Sequence, residues 1–245
     1  MLPPTRDTIP RQLAFELPLD PRYGREDFLV SPANEAAYAL VESWPRWPDT
    51  VTVLTGPPGS GKSHLASIWA SRAHAWTVSA SEIGKGQVPH LISNGALVVE
   101  DVDRPEGRDE AALFHLLNLA RERRCPVLVT SGRPVDAIGL TTPDLRSRLR
   151  LAPGAAIEPP DEALLRAVLV KLFVDRQLVV DLRVVDALAL RIDRSIGRAR
   201  EIVTALDRDA LSRGRRITKP LVLEVLARLG LAGDEDESED GPGNS

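Results

Sequence analysis

Three groups of residues combine side chains and spacing that could do chemistry. The first is Gly56-Pro57-Pro58-Gly59-Ser60-Gly61-Lys62-Ser63, which follows the apolar run Val51–Thr55. It fits G-x-x-x-x-G-K-[ST], a loop whose glycines let successive backbone N–H groups turn toward phosphate oxygens. Lys62 would reach the β- and γ-phosphates of a nucleotide, and Ser63 would offer its hydroxyl to Mg²⁺. His64, the next residue, is grouped with the nucleotide-binding set. The second group is Glu100-Asp101, at the end of an apolar run that starts at Ala96. In phosphoryl-transfer sites one such acid holds Mg²⁺, directly or through water, and its neighbour orients a nucleophilic water. Glu100 is assigned here to the metal and Asp101 to the catalytic role. The third group is a set of arginines. Arg148, in Asp144-Leu145-Arg146-Ser147-Arg148-Leu149, is either a surface salt-bridge partner or an arginine finger for a nucleotide on a neighbouring subunit. Arg198 and Arg200 either fold back onto the phosphates or form a solvated basic face. The histidines at 64, 74, 90 and 115 have no metal-ligand spacing.

Regular elements must hold these groups in place. Apolar runs at 51–55, 75–79, 96–101, 125–131 and 155–158 read as strands. Helical patterns at 33–43, 62–72, 87–92, 109–121 and 145–149 alternate with them. Strands that are apolar nearly throughout and separated by helices imply a parallel sheet covered on both faces. In such sheets ligands sit at the C-terminal strand ends, where the phosphate loop, the acids at 100 and 101 and the pair Thr130-Ser131 would converge. Beyond Pro160 no strand is expected. Helices over 161–176, 182–191, 196–212 and 218–229 suggest a small bundle, with Asp161 and Ser195 as N-caps and Thr218-Lys219-Pro220 opening the last helix. The expected architecture is therefore α/β: residues 26–160 form a nucleotide domain with a parallel sheet, followed by an all-α helical lid over 161–230. An extended arm occupies 1–25, and an acidic tail occupies 231–245. In Ser43-Trp44-Pro45-Arg46-Trp47-Pro48 the prolines should keep the chain extended, with both tryptophans covering the flank of the sheet.

Composition narrows the class. The chain has 245 residues, 43% of them hydrophobic, enough for a sizeable core, and its net charge is −4. The six acids of the tail account for more than that charge and leave a body near +2, without the excess of a dedicated DNA-binding module. The single cysteine, Cys125, can form no internal disulfide. No apolar run approaches a membrane span, and residues 1–13 lack a signal-peptide core. A cytoplasmic location is expected. In the arm, Gln12-Leu13-Ala14-Phe15-Glu16-Leu17 is either an edge strand docked on the protein's own body or a linear peptide for a partner's pocket.

The order GPPGSGKS, VVED, LFHLLN, VLVTSGRP, DLRSRL, GRAREI resembles the AAA+ module of bacterial DnaA from about Tyr23 to Leu229. YGREDFLVSPANEAAYAL and GPPGSGKSHLA look specific to that branch. The helix-turn-helix domain that follows this module in DnaA is not expected here. The chain is most similar to the DnaA-homologous regulators of replication of the Hda type, short AAA+ proteins preceded by a clamp-binding peptide. The resemblance implies that Gly56 to Ser63 bind ADP or ATP with Mg²⁺, that Arg200 is a second nucleotide sensor, and that Arg148 is a finger donated to DnaA. It also implies that Gln12, Leu13, Phe15 and Leu17 anchor the arm on the sliding clamp of the replicative polymerase. DNA would be reached only through that clamp, and self-association is left open. Such a protein would restrain initiation by stimulating hydrolysis of DnaA-bound ATP. Three positions depart from the pattern: Glu100 where Asp is usual, Gly132 in place of an acid, and Phe15 where Leu is frequent. The first two argue for weak intrinsic hydrolysis. Two other functions remain from the residues alone, an ATP-dependent DNA remodeller or helicase loader and a small-molecule P-loop kinase.

Overall fold

The computed structural model describes residues 24–214 and 216–231. The arm residues Gln12, Leu13, Phe15 and Leu17 and the acidic residues 234–240 lie outside these. Five strands form one parallel sheet: β1 (Val51–Thr55), β2 (Trp76–Ser79), β3 (Leu97–Glu100), β4 (Val127–Ser131) and β5 (Gly154–Ala156), in the order β2-β3-β4-β1-β5. The period of two sends alternate side chains to opposite faces. Val51, Val53, Leu97, Val99, Val127 and Val129 pack under α3 (Val88–Ser93), α4 (Glu110–Arg123) and α5 (Pro143–Leu151). Leu54, Val98 and Leu128 pack on the other face against α1 (Glu35–Glu42) and α2 (Lys62–Ala73). With both faces covered, the strands have no need of polar alternation, which is why they read as continuous apolar runs.

A second core belongs to the helices after the sheet: α6 (Glu162–Asp175), α7 (Leu182–Arg191), α8 (Ile196–Arg213) and α9 (Lys219–Arg228). Leu169, Phe173, Leu188, Ile202, Leu206 and Val225 are buried at its centre. The caps follow the local chemistry. Asp161 accepts from the Leu164 N–H at 2.7 Å, Asp181 from that of Arg183 at 2.8 Å, and Ser195 from that of Arg198 at 3.2 Å. Each such cap stabilises its helix by about 1 kcal/mol. Among the described residues, no helix is long and apolar enough to cross a membrane.

Three local expectations change. The segment after α1 turns rather than extends, because the Arg46 N–H bonds back to the Ser43 carbonyl at 2.8 Å. Trp47 then stacks on Trp69 at 4.9 Å, and Trp44 meets the same ring edge-on. Strand β5 begins at Gly154 instead of Ala155. A Cβ at 154 would lie 2.7 Å from the Val53 carbonyl oxygen, so the close approach of β1 requires the glycine. Helix α5 starts at Pro143, two residues earlier than expected, since proline fits the first turn where its missing N–H has no partner to lose.

The start of α5 has no side-chain cap of its own. Glu110, in the first turn of α4, serves instead. Its carboxylate accepts from the Thr141 N–H at 3.0 Å, the Thr142 N–H at 2.7 Å and the Thr141 hydroxyl at 2.9 Å, and pairs with the buried Arg108 at 3.1 Å. Burial opposes ionisation here, but these donors outweigh it and bring the Glu110 pKa down to about 2. A depressed carboxylate pKa adds stability above the unfolded value and loses it as pH falls toward the folded value. Glu110→Gln should therefore cost about 2–3 kcal/mol at pH 7. In denaturant unfolding, the gap between variant and parent should close between pH 4.5 and about 2.

Candidate functional site

The turn from β1 into α2 sets the site's geometry. Gly56, Gly59 and Gly61 all have positive φ, at 155°, 73° and 109°. Gly61 caps α2 without a side-chain bond, so no side chain competes for the N–H groups of the first turn. Lys62 is buried at 8% exposure, and its ammonium donates to the Gly56 carbonyl at 2.7 Å and the Pro57 carbonyl at 3.0 Å. Burial pushes its pKa below the usual lysine value, and Asp101, Asp103 and Glu100 pull it partly back. Among the described residues this desolvated cation, beside a helix N-terminus, makes no direct ion pair. That donor set fits a phosphate.

Above the loop lies a cavity of about 470 Å³ between the sheet and the helical bundle. Gly59, Gly61, Lys62, Ser63 and His64 line its floor, with Asp101, Asp103, Arg104 and Gly132 to one side. Phe28 and Leu29 enter from the segment before α1, and Leu172, Gly197 and Arg200 from α6 and α8. Helix α8 begins on the phosphate loop itself. The Gly197 N–H donates to the Gly59 carbonyl at 3.2 Å, and a Cβ on Gly59 would strike the Ser195 hydroxyl and lie 2.8 Å from the Gly197 nitrogen. A second tie is ionic. Lys171 on α6 pairs with Asp27 at 2.6 Å and with Asp175 at 3.2 Å. This pairing lowers the Asp27 pKa and raises that of Lys171. His64 is lowered by burial; its neutral ring donates from Nε2 to the Gly24 carbonyl at 3.0 Å and stands edge-on to Phe28 at 5.2 Å.

The structure thus brings Gly59, Gly61, Lys62, Ser63, His64, Asp101 and Arg200 to one cavity, and Pro58 with them. Gly56, Pro57 and Ser60 form the loop behind it, and the buried Ser60 hydroxyl has no partner among the described residues. Glu100 ends β3 opposite Ser79 and is not among the cavity's lining residues. Thr130 and Ser131 are buried struts instead of cavity groups. The Thr130 hydroxyl accepts from the Asp101 N–H at 3.2 Å, and the Ser131 hydroxyl donates to the Arg133 carbonyl. Arg148 sits elsewhere, exposed on α5, its guanidinium with no hydrogen bond or ion pair among the described residues. Its neighbours Leu149 and Arg150 line a smaller cleft of about 300 Å³ against β5. Asp103, Asp27 and Lys171 escaped the sequence reading. Asp103 had a signal, as the third acid in Glu100-Asp101-Val102-Asp103; the Asp27–Lys171 pair joins segments that no local pattern connects.

The oxygen donors gathered here, the Ser63 hydroxyl and the Asp101 and Asp103 carboxylates, are hard ligands of the kind Mg²⁺ takes. Lys62 and the α2 N-terminus fit the phosphates that accompany such a cation.

No family model matches the chain. It is 27% identical over 214 residues to the chromosomal replication initiator protein DnaA of Thermomicrobium roseum, a match that covers 78% of this chain and 45% of that protein. The chain therefore spans less than half the length of that relative. The crystal structure of domain III of the Thermotoga maritima replication initiation protein DnaA is similar at a TM-score of 0.75 and 21% identity, covering 86% of this chain and 98% of that one. AMPPCP-bound DnaA from Aquifex aeolicus is similar at a TM-score of 0.65 and 19% identity, covering 78% and 67%. The chain is thus similar in sequence to DnaA and shares the AAA+ P-loop fold of its domain III.

The contact between the loop and α8 can be tested directly. Gly59→Ala places a side chain at φ 73° and against Ser195 and Gly197. It should lower unfolding stability by about 1–3 kcal/mol. It should also raise hydrogen exchange at the start of α8 more than in β1–β4.

Proposed function

We propose that the chain is a nucleotide-binding AAA+ regulator that restrains replication initiation. Held at the DNA-loaded sliding clamp, it stimulates hydrolysis of ATP on DnaA by donating Arg148. The observation that carries this reading is the separation of two features. Lys62, Ser63 and Arg200 surround the chain's own cavity, whereas Arg148 is exposed on another element with no partner among the described residues. An arginine in such a place is available to a nucleotide on another protein. Its planar guanidinium, always charged, suits the oxygens of a transferring phosphoryl group.

Within its own site, Lys62 and the first turn of α2 bind the phosphates of ADP or ATP. Ser63, with the acids beside it, holds Mg²⁺, which when bound neutralises phosphate charge. Arg200 approaches the phosphates from α8 and links their presence to the position of the bundle. The Asp27–Lys171 pair keeps the bundle against the segment before α1, which narrows the access of water. Similarity to DnaA supports an adenine nucleotide, since AMPPCP is bound in the Aquifex aeolicus structure. The clamp contact rests on Gln12, Leu13, Phe15 and Leu17, whose spacing suits a peptide laid into an apolar pocket.

The test combines ATP-loaded DnaA, clamp loaded on DNA and this protein. Arg148→Ala should bind nucleotide as the parent does yet lose a stimulation of about 10³-fold or more. Gln12→Ala should lose both clamp capture and stimulation. Lys62→Ala should weaken binding of a fluorescent adenine nucleotide by more than about tenfold. Unchanged DnaA hydrolysis with both Arg148→Ala and Gln12→Ala would overturn the mechanism.

A further inference from the structure

We propose that the second carboxylate of the cation position is Asp103, beside Asp101, and that Glu100 is not part of it. The inference rests on the reading that the phosphate loop binds a nucleotide with a divalent cation. It departs from the assignment suggested by the strand-end pair in the sequence.

The backbone after β3 decides which acids face the cavity. Asp101 takes a left-handed conformation, with φ 58°, and its N–H bonds to the Thr130 hydroxyl. The Val102 N–H bonds to the Thr130 carbonyl at 3.0 Å, and the Val102 side chain is buried in the core at 2% exposure. This turn sends Val102 inward and returns Asp103 to the cavity, where it lies with Asp101 and Ser63. Glu100 precedes the turn and stays on the strand.

Asp103 is also held in place. Its Oδ1 accepts from the Gly132 N–H at 2.6 Å, which ties the loop after β3 to the loop after β4. A Cβ on Gly132 would lie 2.8 Å from Asp103 Oδ2, so the carboxylate occupies space that a side chain at 132 would need. The glycine and the acid form a matched pair. One N–H bond leaves a carboxylate with further lone pairs for a hydrated cation. Asp101 Oδ2 is meanwhile paired with Arg104 Nε at 3.1 Å, but that arginine is 70% exposed and its pair is readily exchanged.

The experiment titrates a fluorescent ATP analogue into the full chain with Mg²⁺ and with EDTA. Asp103→Asn keeps an acceptor for the Gly132 N–H but loses the charge. It should lose about tenfold or more of the affinity gained from Mg²⁺, while its EDTA affinity and thermal midpoint stay near the parent's. Gly132→Ala, which displaces the same carboxylate, should show the same selective loss. Glu100→Gln should keep the full Mg²⁺ gain. A loss with Glu100→Gln but not with Asp103→Asn overturns the assignment, as does a parent affinity indifferent to Mg²⁺. Failure of the underlying nucleotide reading looks different: Lys62→Ala would then bind the analogue as the parent does, in EDTA and in Mg²⁺ alike.

Discussion

The Lys62 ammonium is taken out of water and given two carbonyl oxygens of its own loop, Gly56 and Pro57, as partners. A buried cation is costly unless charge or hydrogen bonds compensate it. Carbonyls supply only part of that compensation, and the acids at the ends of β3 supply more from a distance. Much of the structure follows from holding this group in place. β1 must be an inner strand, so that its loop emerges between β4 and β5. Three glycines must take backbone conformations that other residues resist. The loop after β3 must curl back, and α8 must begin where the loop's Gly59 carbonyl can accept from it.

A second constraint acts at the start of α4. Glu110 satisfies the N–H groups of Thr141 and Thr142 just before α5, so the start of the helix that carries Arg148 is tied to α4 by a carboxylate, while its Leu145 and Leu149 are buried in the core. The two chemical features of the molecule thus rest on the same scaffold through different ties. Lys62 is set by β1 and α2, and Arg148 by α4 and α5. Neither tie runs through the helical bundle, whereas Arg200 belongs to the bundle alone.

Much of this could be seen in the residues. The phosphate loop, the parallel sheet and the four later helices follow from apolar runs, caps and a spacing that few other structures need. What stayed hidden depends on approach between distant segments. Gly154 looks like a strand breaker until β1 is seen close against it. Thr130 and Ser131 look like site groups because they end a strand, but their hydroxyls are used up in fixing neighbouring loops. Asp103 stands past the strand, where periodicity has nothing to say, and only the turn at Asp101 brings it back. The Asp27–Lys171 pair joins segments far apart in the chain, and neither residue carries a local mark of the other.

The bond from Gly197 to Gly59 has a kinetic consequence. It joins the floor of the cavity to its cover at one point, and Lys171 with Asp27 fastens the cover at another. Widening the cavity at the bundle side requires these two contacts to open. Motions of the bundle against the sheet domain would therefore set how fast the cavity exchanges its contents with solvent.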